Sequence, residues 1–181
     1  MRRSLIFALL LVLLPVVAAA ARPRHRPRTV RHVDLARYMG RWYDIAHLPT
    51  RFQKDCACCA EARYSLDGDG RVVVVNRCRR ADGTWHESRA EGRVVSTSGA
   101  RWKVTFFKLL GIGVGKGDYW ILGLDPDYRW AVVGDPDRRY AWILCRRPRM
   151  PAAWRAAADS LLRERGYDPA RLVDVPQPAG D

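Results

Sequence analysis

The sequence predicts an all-β protein, an eight-stranded antiparallel up-and-down β-barrel with one C-terminal α-helix packed outside it. Alternating or β-rich segments recur along the chain at a spacing of about 8–14 residues, separated by Gly, Asp and Pro, which is the pattern of a barrel or sandwich. The short connections favour hairpins between successive strands and therefore an up-and-down order. One segment with helical periodicity follows the last strand.

Two segments precede the predicted barrel domain, which covers residues 34–178. Residues 1–21 combine Arg2 and Arg3 with an apolar run and small residues, the pattern of a secretory signal peptide. That run is too short to span a membrane comfortably. No cysteine lies near the expected cleavage point, so we expect a periplasmic or secreted protein rather than a lipoprotein. Residues 22–33, RPRHRPRTVRHV, predict a basic, flexible and extended arm.

The formal net charge of +13 favours anionic partners. Nearly all of the positive charge is arginine, which indicates a bias in the composition of the whole chain. An exported protein rarely meets nucleic acid, so nucleic acid is not an expected partner. Peripheral contact of the basic arm with an anionic membrane is an open alternative to a solvated tail.

The strands are predicted over residues 41–48, 59–67, 71–79, 85–97, 101–108, 118–125, 128–134 and 140–146. Turn-forming residues separate them, for example Asp67-Gly68-Asp69-Gly70. Beyond the last strand, Pro151 suits a first helical turn, and Gly166 is expected to end the helix. Between them an apolar stripe recurs at helical spacing: Trp154, Ala157, Ala158, Leu161 and Leu162.

Because strand side chains alternate between two faces, charged residues mark the outer face of each strand. In the seventh strand an outward Arg129 turns Tyr128, Trp130 and Val132 inward. The same reasoning predicts a mostly apolar lining that binds the ligand: Ala62, Tyr64, Val74, Asn76, Ser88, Val104, Phe106, Tyr119, Ile121, Trp130, Tyr140 and Trp142. Small inward residues (Ala60, Ala62, Ala90 and Gly123) indicate a cavity, although a barrel of this size can also be filled by its own side chains.

Three motifs carry a resemblance to a known family. Gly40-Arg41-Trp42-Tyr43 resembles the Gly-x-Trp motif of the lipocalins, and the following residues Asp44-Ile45-Ala46 and 49–53 resemble the bacterial, outer-membrane lipocalin-like subgroup. Asp125-Pro126-Asp127-Tyr128 resembles the second motif, with Pro126 in place of threonine. Arg146 resembles the arginine of the third motif. The resemblance runs from about Asp34 to Gln177.

The resemblance implies a cup closed at one end, with Trp42 across its base and Arg146 over the indole ring, a contact that contributes about 0.5–2 kcal/mol. Gly40, Trp42, Asp127, Tyr128 and Arg146 are then determinants of the fold. The implied function is binding, transport or storage of a small hydrophobic ligand in the bacterial envelope, namely a fatty acid, a lysophospholipid or a phospholipid. Neither catalysis nor a cofactor is expected.

Five cysteines suit an oxidising compartment. Related bacterial sequences often carry a cysteine pair at the positions of Cys56 and Cys78, so the resemblance implies a disulfide between them. The pairing of Cys58, Cys59 and Cys145 stays open, with Cys59–Cys145 as one possibility. No second cysteine pair or histidine completes a metal site around Cys56-x-Cys58-Cys59, so no metal is expected.

Three other functions fit parts of the sequence. A lipid-modifying enzyme would need a cysteine nucleophile with a base, and His86 is the only histidine expected inside the barrel. A haem carrier would need an axial ligand, for which His86 and the tyrosines are the candidates. A surface-interaction protein would use residues 22–33 on anionic lipids.

Overall fold

The computed structural model describes residues 25–106 and 115–178. The predicted signal peptide lies outside the described residues. The strands are β1 Gly40–His47, β2 Cys58–Leu66, β3 Val72–Arg79, β4 Trp85–Val94, β5 Arg101–Phe106, β6 Gly115–Leu124, β7 Trp130–Gly134, β8 Ala141–Cys145 and β9 Val173–Asp174. The helices are α1 Leu35–Tyr38 and α2 Ala152–Glu164, followed by a single 3-10 turn, Pro169–Arg171.

Strands β1 to β8 form a closed antiparallel barrel, which confirms the predicted fold class. Each strand pairs with the next one along the chain, and β1 pairs with both β2 and β8. The end of the barrel at which β1 begins is the base, and the opposite end, which carries the β1–β2 loop (48–57), is the mouth. The short strand β9 adds to β1 near the mouth.

Two apolar clusters stabilise the barrel. The inner cluster fills the lower interior and includes the fully buried Trp42, Trp102 and Ile121. The outer cluster lies between the barrel wall and α2, where Ile143 packs with Leu162. The helix ends as predicted, with Gly166 at φ +81° and the N–H of Tyr167 donating to the carbonyl of Leu162.

The structure corrects the prediction for the seventh strand. Trp130 and Val132 belong to the outer cluster under α2, whereas Ala131 and Val133 face the interior. Arg129 lies in the turn before β7, so its direction says nothing about alternation inside the strand. Tyr128, just before it, has a positive φ of 60°, which breaks the regular pleat.

Bulges reverse the alternation in two further strands. In β6 the ladder to β7 shifts between Ile121 and Gly123. Gly123 therefore faces α2, where an added Cβ would clash with the side chain of Leu161, and it does not widen the interior as expected. In β1 a shift between Asp44 and Ala46 places Ala46 in the outer cluster and pairs His47 with the inward Trp142.

The base shows the contacts that the resemblance implied. The guanidinium of Arg146 lies 3.8 Å from the centroid of the Trp42 ring, and its Nη1 donates to the carbonyl of Arg41 at 2.8 Å. Gly40 has a φ of +93°, and a Cβ there would lie 3.2 Å from Arg146 Nη1. The hydroxyl of Tyr128 accepts a hydrogen bond from the N–H of Asp34, just before α1.

Residues 25–33 pack against the barrel, in contrast to the flexible arm that was expected. The N–H of Val30 donates to the carbonyl of Ile121 at 3.0 Å, and that of Val33 donates to Ser98 at 2.8 Å. Pro27 and Val33 are buried. The apolar members of this segment, which its many arginines obscure in the sequence, hold it in place.

Cys56 and Cys78 form a disulfide with a Cα–Cα distance of 5.6 Å, which ties the β1–β2 loop to the mouth end of β3. Cys58 and Cys59 are bonded to each other, so Cys59 does not pair with Cys145. Cys145 is a buried free thiol. No helix among residues 25–106 and 115–178 has the length and apolar character needed to cross a membrane.

Candidate functional site

Aromatic side chains form the floor of the barrel interior. The rings of Trp102 and Tyr119 stack with centroids 4.7 Å apart, and Tyr38 meets the edge of Trp102 at 5.5 Å. Tyr38 comes from α1, which closes the base, whereas the other floor residues come from strands. The floor is therefore a set of closely packed aromatic rings.

The tyrosine hydroxyls of the floor form a short chain. Tyr38 Oη lies 2.7 Å from Tyr119 Oη, and Tyr119 Oη donates to Tyr64 Oη at 3.0 Å. Burial raises the pKa of each of these three hydroxyls well above its usual value, so all three remain protonated and uncharged at neutral pH. The floor thus offers hydrogen bonds but no charge.

The walls above the floor are apolar and partly lined by small side chains. Ala62, Val74, Ala90, Val104 and Val133 all belong to the inner cluster. Gly115 and Gly117 oppose Phe106 and Val104 across the β5–β6 ladder, and positions for their Cβ atoms lie 3.7 and 3.6 Å from the Phe106 ring. Phe106 can therefore lie flat along β6. Such walls suit an apolar ligand.

An aromatic strip continues from the interior to the mouth. Trp142 stacks with Tyr140 at 6.0 Å, and Tyr140 lies 5.8 Å from Phe52 of the β1–β2 loop. Phe52 also stacks on Phe106 at 5.5 Å, although 48% of its surface is exposed. Phe52 was not among the predicted lining residues, because a loop residue has no strand alternation from which its direction can be read.

One polar group enters this interior from β1. Asp44 is only 5% exposed. Its Oδ2 accepts from Gln53 Nε2 at 2.5 Å and lies 2.9 Å from His47 Nδ1. Gln53 Oε1 in turn accepts from the indole N–H of Trp142 at 3.0 Å. Sequence reasoning missed this network, because the bulge in β1 turns His47 to the side opposite the one that simple alternation gives it.

The predicted lining residues fall into three groups. One group contributes to the inner cluster or packs on it: Ala62, Tyr64, Val74, Val104, Phe106, Tyr119, Ile121 and Trp142. A second group lies nearer the mouth, where Asn76 is half-buried, Ser88 is exposed and Tyr140 contacts Phe52. Trp130 alone is turned away, toward α2.

The cysteine and the histidine considered for catalysis or haem binding lie away from the floor, whereas three of the tyrosines form it. Cys145 follows the inward Leu144 and belongs to the outer side of β8, and burial raises the pKa of its thiol. The other four cysteines are disulfide-bonded. His86 Nδ1 lies 2.8 Å from Arg80 Nη2 near the mouth. Across the described residues, no three His, Cys, Asp or Glu side chains meet in a group that could hold a metal ion.

Comparison with known proteins gives one consistent family. A sequence model of the lipocalin-like domain matches residues 33–177. Temperature-induced lipocalin-1 of Arabidopsis thaliana is 36% identical over 157 residues, covering 82% of this chain and 81% of the relative. The outer membrane lipoprotein Blc of Escherichia coli K12 is 34% identical over 181 residues, covering 92% of this chain and 98% of the relative.

Solved structures show the same fold at lower identity. Insecticyanin from the tobacco hornworm Manduca sexta superposes with a TM-score of 0.67 at 23% identity, covering 84% of each chain. Lobster apocrustacyanin A1 gives a TM-score of 0.64 at 15% identity, covering 87% of this chain and 93% of the other. These similarities concern the barrel and its helix.

Proposed function

The chain belongs to the lipocalin family, and from that premise we propose that it binds a small lipid inside its barrel: a fatty acid, a lysophospholipid or a phospholipid. The observation that carries the proposal is the inner face of the strands. Apolar and small side chains continue from the aromatic floor to an aromatic strip at the mouth. Such a surface suits an acyl chain and excludes strongly hydrated ligands.

The expected affinity follows from the apolar surface that an acyl chain would bury. Each buried methylene contributes about 0.8 kcal/mol, so a chain of about a dozen carbons gains roughly 10 kcal/mol before the association cost. That cost is on the order of 4 kcal/mol or more. The difference of about 6 kcal/mol corresponds to a dissociation constant of tens of micromolar for a chain of this length. Each further buried methylene tightens binding about fourfold, so an acyl chain of about sixteen carbons reaches the micromolar range.

We place this function in the bacterial envelope, in a periplasmic or secreted form. The segment 1–21 has the composition of an export signal. The Cys56–Cys78 disulfide suits an oxidising compartment. The similarity to outer membrane lipoproteins of Escherichia coli and Vibrio cholerae supports the same compartment.

The test is native mass spectrometry of the barrel produced by export, before and after addition of a long-chain fatty acid or a lysophospholipid. We expect a one-to-one adduct. Asn76→Trp places a large ring in the interior and should abolish the adduct. Val75→Trp, one position along β3 on the outer face, is the matched control and should keep it. A folded protein that forms no adduct with any acyl ligand would refute the proposal.

A second role, contact with anionic membrane surfaces, is supported by one feature of the outer surface. A cleft of about 570 Å³ lies between residues 25–28, the β7–β8 turn and the end of α2. Its lining is dominated by arginine: Arg26, Arg28, Arg138, Arg163 and Arg165. Binding to anionic vesicles should weaken steeply with added salt and disappear in Arg26→Glu/Arg28→Glu. Binding that is insensitive to salt would argue against this role.

A further inference from the structure

The interior side of β1 carries a buried acceptor that an all-apolar ligand would leave unsatisfied. Asp44 Oδ2 is held by Gln53 and His47, but Asp44 Oδ1 is buried and has no hydrogen-bond partner among the described residues. Buried polar atoms in native proteins are nearly always paired. An unpaired oxygen on a carboxylate of the interior side of β1 therefore points to a donor that arrives with the ligand.

Three observations place the Asp44 side chain on the interior side of β1. Asp44 is paired in register with Leu144, which belongs to the inner cluster. Its partner Gln53 bonds Trp142, which packs on the same cluster. The negative charge of Asp44 also contributes to the raised pKa of Tyr64, a floor residue. The carboxylate therefore belongs to the interior face of the wall, between the floor and the mouth.

The direction of the unpaired oxygen is fixed by its neighbours. The chain of hydrogen bonds from Trp142 through Gln53 to Asp44 Oδ2, with His47 on the same oxygen, orients the carboxylate before any ligand binds. A donor that reaches Oδ1 meets a preoriented acceptor in a largely dry environment, where hydrogen bonds to charged groups are stronger than in water. Such an arrangement confers specificity on an otherwise apolar binding site.

We infer that the ligand of this barrel carries a hydrogen-bond donor, a hydroxyl or an ammonium group, that binds Asp44 Oδ1. The inference rests on the proposed function, because it assigns a chemical class to the lipid in the same interior. The carboxylate of a fatty acid cannot donate a hydrogen bond, and at short range it is repelled by the carboxylate of Asp44. Of the proposed lipids, those with a free hydroxyl or amine near the acyl chain, such as a lysophospholipid, are favoured over a fatty acid.

The experiment compares four ligands of equal chain length by isothermal titration calorimetry: a primary amine, a primary alcohol, a methyl ester and a fatty acid. The wild-type protein should bind the amine and the alcohol about tenfold or more tightly than the ester, a ratio that corresponds to about 1.4 kcal/mol. The fatty acid should bind most weakly. A preference for the amine alone identifies an ammonium ligand, and a preference for both identifies a hydroxyl as sufficient.

Two variants test whether Asp44 is the cause. Asp44→Leu should remove the preference, leaving all four ligands within about twofold of one another after correction for their solubilities. Asp44→Asn keeps an oxygen acceptor without charge, so it should lose the preference for the amine and retain that for the alcohol. Asp137→Leu, at an exposed acidic position on the β7–β8 turn, is the matched control and should behave as wild type.

The outcomes separate this inference from the function on which it rests. If the methyl ester binds the wild type as tightly as the alcohol and the amine, the barrel still binds lipid but the inference is wrong. It is equally wrong if the preference survives in Asp44→Leu. If none of the four ligands binds, the proposed function fails and the inference fails with it. The wild-type series decides the matter even where a variant does not fold.

Discussion

The base and the mouth of the barrel differ in how completely their polar groups are paired. At the base, Trp42 Nε1 donates to the carbonyl of Tyr38 at 2.8 Å, and Arg146 donates to the carbonyls of Arg41 and Arg37. Toward the mouth, Asp44 Oδ1 has no partner in the described residues, and Phe52 is half exposed. The polar groups of the base are thus paired within the protein, whereas the upper barrel holds an acceptor that the proposed ligand would satisfy.

The largest effect on stability is expected from removing the central side chain of the base. Trp42→Ala should lower the free energy of unfolding by about 3–5 kcal/mol, because it leaves a large cavity and removes the partner of the Arg146 guanidinium. Trp85→Ala is the matched control, since Trp85 on β4 is 51% exposed, and it should change stability by about 0.5 kcal/mol or less. Urea unfolding measures both. Similar losses in the two variants would contradict a special role for the base.

The tyrosine floor makes the lower barrel sensitive to high pH. Burial raises the pKa of Tyr38, Tyr64 and Tyr119 in the folded state, so the unfolded chain loses these protons first. Their contribution to stability is complete below about pH 10 and falls as the pH rises above that value. The expected slope is about 1.4 kcal/mol per pH unit for each tyrosine.

Tyr119→Phe removes one of the three titrating hydroxyls and should flatten the alkaline loss by about one such increment. Denaturant unfolding between about pH 9 and 11 provides the measurement. An unchanged slope in this variant would show that the floor does not control alkaline stability.

A substitution at the mouth should change the affinity for lipid rather than the stability of the protein. Phe52→Ala removes a half-exposed ring, so the free energy of unfolding should change by about 0.5 kcal/mol or less. Loss of its contact with an acyl chain should weaken lipid binding severalfold, measured by titration calorimetry. Val95→Ala, at an exposed apolar position near the base, should leave both quantities unchanged. Equal affinities for the Phe52 and Val95 variants would mean that the ligand does not reach this loop.

The sequence was sufficient for the architecture because that architecture depends on repeated local signals. Alternation and turn residues located all eight barrel strands. The fourth strand ends at Val94 rather than at residue 97, because residues 96–99 turn back toward β5. The stripe from Trp154 to Leu162 likewise predicted α2. Such signals require no knowledge of distant contacts.

The errors in the direction of strand side chains occur where alternation is interrupted. Trp130 was assigned to the interior from Arg129, which belongs to a turn, and Gly123 from a parity that a bulge reverses. His47 was overlooked for the same reason, because the bulge in β1 is a property of pairing with β8. Bulges are set by tertiary contacts, so single-sequence reasoning fails at these sites, one of which lies in the candidate site.

The wall beside Asp44 is completed by a segment distant from it along the chain. β1 and β2 pair directly only from Gly40 to Tyr43, and nearer the mouth Gln177 Nε2 donates to the carbonyls of both Asp44 and Ala60. These bonds span sequence separations of 133 and 117 residues. Closing such long loops costs conformational entropy, which the bonds made at their far end must offset. The wall between β1 and β2 therefore depends on the last residues of the domain, and a chain cut before Gln177 would leave the carbonyls of Asp44 and Ala60 without this donor.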